Sequence, residues 1–156
     1  NEVFPIVLAS LPDLQLYIVG SNMPDEIRRL ESRSINVEGF LSDEALSELY
    51  RRIRMSVVPL RFGAGIKGKV LDAMQKGIPV ATTSIGAEGI PDARSNLLIA
   101  DISEDFANSI VESYDDLDML ERHSLAGLDT IAKHFSTDAV LKVIAEDFRR
   151  PKEGHN

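Results

Sequence analysis

Residues 58–74 read Val-Pro-Leu-Arg-Phe-Gly-Ala-Gly-Ile-Lys-Gly-Lys-Val-Leu-Asp-Ala-Met, and this stretch decides the fold. An apolar run opens it, the string G-x-G-x-x-G follows at residues 63–68, and the amphipathic pattern predicts a helix over residues 66–76. Glycines let backbone N–H groups approach a phosphate, and a helix N-terminus adds unpaired N–H groups and a positive dipole end. Three cations lie in or beside the loop: Arg61, Lys67 and Lys69. The stretch therefore predicts a diphosphate-binding loop, and the alternative is a tight turn with solvated lysines.

A dinucleotide-binding turn is the main rival interpretation of the glycine string, and three features count against it. The loop follows the third predicted strand rather than the first, and residues 60–62 separate that strand from the first glycine. The acid that would bind the ribose of a dinucleotide is expected ~20 residues further on. Thr83 and Ser84 occupy that place, and Glu88 comes only later.

Asp72 lies on the helix that is predicted to leave the glycine loop. A planar carboxylate at this place can accept hydrogen bonds from both hydroxyls of a ribose, because it matches the geometry of a vicinal diol. The alternative interpretation of Asp72 is an exposed helical acid that faces solvent.

Apolar runs alternate with amphipathic stretches along the rest of the chain. Short apolar runs bounded by turn residues predict five strands, at residues 14–20, 35–40, 55–59, 79–82 and 97–100. Helices are predicted over residues 24–30, 42–54 and 66–76, with three more after residue 102. This alternation is typical of an α/β fold, a Rossmann-like doubly wound parallel sheet with helices on both faces. In such sheets ligands bind beyond the carboxyl ends of the strands, so the site is expected in the loops that follow them.

The three C-terminal helices are expected to close the core. Ser103 is predicted to cap the first of them, and Ser136 opens the third. Their apolar stripes predict inward-facing side chains, namely Phe106, Ile110, Val111 and Tyr114 in the first, Leu125, Leu128, Ile131 and Phe135 in the second, and Val140, Val143, Ile144 and Phe148 in the third.

Composition indicates a soluble globular protein. The 156 residues are 44% hydrophobic and 27% charged, and we expect one domain over residues 1–150 with a frayed tail over 151–156. The net charge of -8 argues against general nucleic-acid binding. Residues 51–71, around the glycine loop, nevertheless contain basic side chains and no acidic ones. No apolar run approaches the ~20 residues that span a bilayer. With no cysteine and no signal-peptide pattern, the expected compartment is the cytoplasm.

Residues 58–74 resemble the donor-site segment of family-4 glycosyltransferases, also called group 1. Residues 77–90 are similar to the strand and loop that follow that segment in the family, and residues 16–20 and 37–40 fall where the family has its earlier strands. The resemblance covers residues 1–148 and is specific over residues 57–90.

Members of that family have the GT-B architecture, in which two Rossmann-like domains face a cleft. The C-terminal domain binds a nucleotide sugar, usually a UDP, GDP or ADP sugar, and the N-terminal domain binds a sugar or lipid-linked acceptor. The resemblance implies that this chain is the donor-binding half, that transfer retains the anomeric configuration, and that neither a metal nor another cofactor takes part. The acceptor domain, and any association with a membrane, would belong to a part outside this sequence.

The resemblance also indicates which residues contact the donor. Asp72 matches the second acidic residue of the family motif, which holds the ribose. Ala64 occupies the position of the first acidic residue, which contacts the donor sugar in the family. The backbone of the second strand matches the segment that reads the nucleobase. The predicted contacts are Val37, Gly39, Arg61, Gly63, Ala64, Gly65, Ile66, Lys67, Leu71 and Asp72, and no catalytic residue is assigned.

One strand of the family's donor domain has no counterpart in this sequence, because residues 1–11 already resemble the helix that follows it. In the strand order 3-2-1-4-5-6, loss of the first strand separates residues 14–20 from residues 55–59. We expect a gap there, direct pairing of those two strands, or a strand donated by another chain. No metal site is predicted, because the histidines show no ligand spacing; they are His123, His134 and His155.

Three functions remain open from the sequence. The first is the donor half of a retaining glycosyltransferase, which by itself would lack transfer activity. The second is a binding module that holds a nucleotide or nucleotide sugar without transferring it, which Ala64 in place of an acid would favour. The third, the least favoured, is the dinucleotide-binding domain of an oxidoreductase.

Overall fold

The computed structural model describes residues 2–149, and the predicted tail over residues 151–156 lies outside this range. Five short strands form two parallel sheets. One sheet pairs β1, Leu16–Val19, with β2, Ile35–Gly39. The other has the order β3-β4-β5 and contains Ser56–Val58, Val80–Thr82 and Leu98–Ile99. The structure confirms all five predicted strands. Each strand is one to three residues shorter than the apolar run that indicated it.

Eight α-helices and one π-helical segment are found among the described residues. They are α1 (Val3–Ser10), α2 (Asp25–Arg28), α3 (Asp43–Arg52), α4 (Gly68–Gln75), α5 (Ala93–Asn96), α6 (Ser103–Tyr114), α7 (Leu117–Thr130), the π segment (Ile131–Phe135) and α8 (Thr137–Arg149). The sequence analysis missed α5, because its four residues carry no apolar periodicity. Within residues 2–149, no helix combines the length and the apolar composition needed to cross a bilayer.

Local capping explains where several helices begin and end. Ser42 accepts a hydrogen bond from the Ala45 N–H at 3.3 Å, as predicted for the start of α3, and Ser136 likewise accepts from Ala139 at the start of α8. Helix α4 ends at Gln75, and Gly77, which follows with a φ angle of 70°, donates its N–H to the Met74 carbonyl. The prediction for Ser103 is wrong, because this residue already lies in the first turn of α6 and its hydroxyl donates to Glu2 instead.

Helices cover both faces of the β3-β4-β5 sheet. On one face Val80 packs with Val70 and Met74 of α4 in a buried cluster. On the other face the neighbouring Ala81 packs with Phe106 of α6, in a second cluster that also contains Val7 of α1. Successive residues of a strand point to opposite faces, so two different apolar sets are buried by one short strand. This arrangement confirms the predicted α/β class with helices on both sides of a parallel sheet.

The gap expected between residues 14–20 and residues 55–59 is present. Strand β1 pairs only with β2, and β3 pairs only with β4, so no hydrogen bond joins the two sheets within residues 2–149. Each sheet therefore has a parallel edge whose N–H and C=O groups are free of ladder bonds in the described chain. Of the three expected outcomes, the structure shows the first.

The two last helices are packed less deeply than their apolar stripes predict. In α6 the predicted inward side chains are buried or half-buried, and the π segment packs Ile131 and Phe135 against the first core cluster. The prediction is wrong for the rest of α7 and for α8, where six side chains are exposed: Leu125, Leu128, Val140, Val143, Ile144 and Phe148. Periodicity identifies an apolar face, but it does not show whether another part of the described chain covers that face.

Candidate functional site

The carboxyl ends of β3 and β4 are held together by side-chain hydrogen bonds. The Thr82 hydroxyl donates to the Val58 carbonyl at 2.8 Å, and the Thr83 hydroxyl donates to the Leu60 carbonyl at 2.6 Å. The two loops that leave these strands, residues 59–67 and residues 83–92, therefore start from one rigid base. This is the end of the sheet at which ligands bind in open α/β folds.

The glycine loop after β3 turns back to start α4. Gly63 and Gly65 have φ angles of 125° and 73°, which lie in the region that favours glycine. Residues 61–66 are exposed, so their backbone N–H groups lie at the surface in front of the helix. Helix α4 begins at Gly68, one residue after Lys67. An exposed loop of this shape at a helix N-terminus is suited to an anion.

Lys67 lies within the glycine loop rather than out in solvent. Its side chain is only 12% exposed, and its Nζ donates to the Gly65 carbonyl and to the Glu88 carboxylate, the latter at 3.4 Å. Of the cations that the sequence analysis placed around the loop, Lys67 is thus the one that the fold draws into it.

Arg61 is directed to the opposite side of the loop. Its guanidinium lies 3.1 Å from the carboxylate of Glu2, which also accepts from the Ser103 hydroxyl. The hydrogen bond from Ser103, and then the charge of Arg61, lower the pKa of the Glu2 carboxyl. Arg61 therefore faces a neighbouring acid in the described structure and does not reach over the glycines.

An open cavity of about 630 Å³, with both polar and apolar side chains in its lining, lies at the carboxyl ends of β3, β4 and β5. Ser84 and Asp101 form one wall: the Ser84 N–H and hydroxyl donate to the two carboxylate oxygens of Asp101, at 2.8 and 2.6 Å. These two hydrogen bonds, from the Ser84 hydroxyl first, lower the pKa of Asp101. Arg61, Glu2 and Ser103 also line this cavity.

Asp72 is exposed on α4, as both interpretations of the sequence require. Its charge reaches Tyr50 of α3: burial raises the pKa of the Tyr50 phenol, and the Asp72 carboxylate raises it further. Leu71, predicted as a donor contact, packs against the first core cluster with its partly buried side chain. Asp72, the next residue, is exposed and accessible to a ligand.

The predicted contacts divide between the two sheets. Val37 and Gly39 lie on β2, where Val37 pairs with Ile18 and Gly39 ends the strand with a φ angle of 70°. The glycine loop, by contrast, follows β3 in the other sheet. The structure therefore places the predicted contacts at residues 63–67 in one loop and Asp72 on the helix that follows it, whereas Val37 and Gly39 lie on the separate pair of strands.

Several polar residues at this end of the molecule were missed by the sequence analysis as site residues. They are Glu2, Ser84, Glu88, Asp101 and Ser103. Ser84 and Asp101 could have been indicated only by their position directly after predicted strands, whereas Glu88 comes near the loop through tertiary packing.

The acids at this end are not arranged as a metal site. Among residues 2–149, no three His, Cys, Asp or Glu side chains group closely enough to hold a metal ion. His123 lies on α7 with a buried Nδ1 that has no hydrogen-bond partner in the described residues, and His155 lies outside them.

Comparison with known families agrees with this geometry. Residues 1–116 match the model of the family described as "Glycosyl transferases group 1". Because the match covers most of the chain and includes the glycine loop, the chain belongs to the group 1 glycosyltransferases.

A curated relative and several solved structures are similar to this chain. An uncharacterized 44.6 kDa protein in the cps region of Klebsiella pneumoniae is 28% identical over 155 residues, which cover 94% of this chain and 40% of the relative. The chain therefore spans less than half the length of that relative.

Among solved structures, TarM matches with a TM-score of 0.78 at 16% identity, covering 96% of this chain and 31% of TarM. Anabaena HepE in complex with UDP and glucose matches with a TM-score of 0.69 at 19% identity, covering 94% and 44%. The C-terminal domain of the group 1 protein LpcC from Francisella tularensis matches with a TM-score of 0.69 at 19% identity, covering 87% and 77%. At these identities the likeness shows a shared fold, that of the C-terminal half of a GT-B protein.

Proposed function

We propose that this chain is the donor-binding domain of a retaining glycosyltransferase that uses a nucleotide sugar. The observation that carries the proposal is the exposed glycine loop at the start of α4, with Lys67 inside it and Asp72 on the helix behind it. The family to which the chain belongs supports the same conclusion. Similar structures are described in complex with UDP and with UDP-glucose, which favours a uridine nucleotide as the first ligand to test.

The residues of the loop have separate roles in this proposal. The N–H groups of residues 63–66 and the ammonium of Lys67 receive the diphosphate, and Asp72 accepts the ribose hydroxyls. The backbone around Val37 and Gly39 contacts the base. Transfer breaks the bond between the anomeric carbon and the diphosphate oxygen and forms a bond from that carbon to an acceptor hydroxyl. The negative charge that develops on the leaving diphosphate is the charge that Lys67 and the loop stabilise.

The acceptor is proposed to bind to a second domain outside this sequence. The chain spans 40% of the Klebsiella relative and 31–44% of TarM and HepE, so those proteins contain much that this chain does not. Transfer requires donor and acceptor to be held in a near-attack geometry, which two walls of a cleft provide. We further propose that the enzyme acts in the cytoplasm, on a sugar or lipid-linked acceptor, and without a nucleic-acid partner.

A second function is favoured by one specific observation. Ala64 lies exposed in the loop where the resemblance implies an acid that contacts the donor sugar. A methyl group accepts no hydrogen bond, so the site could hold the nucleotide without orienting the sugar for transfer. In that case the chain would be a binding module for the nucleotide or nucleotide sugar.

Thermal unfolding with a panel of nucleotides tests the donor site. A ligand at 100 times its dissociation constant stabilises the folded chain by about 2.7 kcal/mol, which is a measurable rise in melting temperature. UDP, GDP or ADP is expected to raise it, and EDTA is expected to leave the rise unchanged if no metal takes part. A rise with NAD alone would favour the dinucleotide-binding alternative instead.

A transfer assay separates the enzyme from the binding module. The purified chain, mixed with nucleotide sugars and acceptors, is expected to show no transfer above background. A protein extended to include the proposed acceptor domain is expected to transfer. If that longer protein binds the nucleotide sugar but never transfers it, the chain is a binding module.

A further inference from the structure

The loop after β4 packs directly on the glycine loop. Gly89 has a φ angle of 77°, and a Cβ atom at that position would lie 2.7 Å from Cγ1 of Ile66. This is closer than any real Cβ contact, so Gly89 leaves the room in which the Ile66 side chain sits. The residue before it, Glu88, is thereby placed beside the same loop.

Glu88 and Gly65 are the acceptors that Lys67 has within the described chain. The ammonium of lysine carries three N–H donors. The Gly65 carbonyl and the Glu88 carboxylate, 3.4 Å from Nζ, take two of them, which leaves one for a ligand. Glu88 is 54% exposed, whereas Lys67 is mostly covered, so the carboxylate faces the solvent from which a ligand would enter.

An anion that enters this loop must compete with Glu88. A diphosphate carries more negative charge than one carboxylate and would attract Lys67 more strongly at the same distance. It would also be repelled by Glu88 for as long as the carboxylate stays close. The pair is long, at 3.4 Å, and Glu88 is more than half exposed, so the ion pair is weak enough for a ligand to displace it.

We propose that Glu88 is the counter-ion of Lys67 and gives the ammonium up to the diphosphate when the nucleotide binds. This inference rests on the proposed function and adds a residue to it. Re-formation of the Lys67–Glu88 pair lowers the affinity for the nucleoside diphosphate that remains after transfer, and it thereby promotes release of that product. Glu88 is a positioning residue, because it acts on the ligand through Lys67.

Isothermal titration calorimetry, which measures the affinities for UDP, inorganic pyrophosphate and uridine, tests the proposal. Four forms of the chain are compared: the wild type, Glu88→Gln, Lys67→Gln and the double variant. Glu112→Gln is the matched control, since Glu112 is exposed on α6, which covers the opposite face of the sheet from α4. Glu88→Gln is expected to raise the affinity for UDP and for pyrophosphate by about two- to fivefold and to leave the affinity for uridine unchanged. In the Lys67→Gln background the gain should disappear, whereas the control should behave as the wild type.

Three results would overturn the proposal. The first is that Glu88→Gln weakens the binding of UDP. The second is that it changes the affinity for uridine as much as the affinity for UDP. The third is that it tightens UDP binding equally with and without Lys67. The third result would mean that Glu88 repels the ligand through space and does not hold Lys67. Pyrophosphate separates the counter-ion role of Glu88 from the proposed function. If Glu88→Gln raises the affinity for pyrophosphate only when Lys67 is present, while no nucleotide binds, the counter-ion role stands and the proposed function fails. If pyrophosphate binds to none of the variants, the counter-ion role fails as well.

Discussion

Replacement of Asp72 by alanine should weaken nucleotide binding by an amount that the geometry bounds. Asp72 is exposed on α4, so water screens its interactions, and its two hydrogen bonds together are expected to contribute no more than one hydrogen bond to a charged group. A carboxylate that accepts from both ribose hydroxyls contributes about 1.5–3 kcal/mol in total, which corresponds to a loss of about 10- to 150-fold in affinity. Calorimetry with UDP measures this loss directly.

The decisive control removes the hydrogen-bond donor from the ligand rather than the acceptor from the protein. The wild type should bind 2′-deoxy-UDP more weakly than UDP, and Asp72→Ala should bind the two nucleotides equally well. Such non-additivity is the signature of a direct contact. Glu112→Ala is the matched protein control, because Glu112 is an exposed helical acid on the other face of the sheet.

Two results would refute the assignment of the ribose to Asp72. One is an unchanged affinity for UDP in Asp72→Ala. The other is a penalty for the 2′-deoxy nucleotide that is the same in both proteins, since the lost hydroxyl would then be bound elsewhere. Either result would leave Asp72 as the solvent-facing helical acid of the alternative interpretation.

Further predictions concern the two loops beside the donor site. Gly89→Ala should lower the free energy of unfolding by about 1–2 kcal/mol, because it forces a Cβ into the left-handed region and against Ile66. Chemical denaturation measures this loss, and Gly20→Ala is the control, because its new Cβ meets only Met23 at an ordinary contact distance of 3.8 Å. An equal loss in both variants would contradict that explanation. Ser84→Ala should raise the pKa of Asp101, because it removes the hydrogen bond from the hydroxyl that holds the carboxylate in its charged form. In the wild type, the contribution of this hydrogen-bonded pair to the free energy of unfolding is fully present at a pH above the ordinary pKa range of aspartate, and it is lost as the pH falls through the lowered pKa of Asp101. Carbon-detected NMR titration of the Asp101 carboxylate measures this pKa. An unchanged pKa in Ser84→Ala would exclude Ser84 as the cause of the lowering.

Local pattern was enough to predict the fold class and the existence of every strand. Each strand is a short apolar run, and the glycine string lies where a strand must turn into a helix, so both features are encoded by residues that are close in sequence. The missing ladder between β1 and β3 was one of three outcomes expected from the family resemblance and the strand order, and the structure selects it. Boundaries were less well predicted, because the apolar runs continue past the last ladder hydrogen bond.

The parts of the site that the sequence did not indicate depend on contacts between distant residues. The pairing of Lys67 with Glu88 joins two loops that are 21 residues apart, and no periodicity encodes it. Arg61 appeared to be a loop cation by position, yet the nearby Glu2 draws it to the other side. The exposed face of α8 shows the same limit, since an amphipathic pattern does not identify what covers the apolar side.

The most direct test of a nucleotide-sugar site on the glycine loop is an amide NMR titration of the chain with UDP-glucose. The backbone N–H groups of Gly63, Gly65, Ile66 and Lys67 are expected to shift most, because they meet the diphosphate, and Gly39 is expected to shift with them through the base. Saturable shifts at these positions would support the donor site as described. If saturating UDP-glucose left these amides unmoved, or shifted only residues elsewhere in the chain, the assignment of the glycine loop to the donor diphosphate would be contradicted.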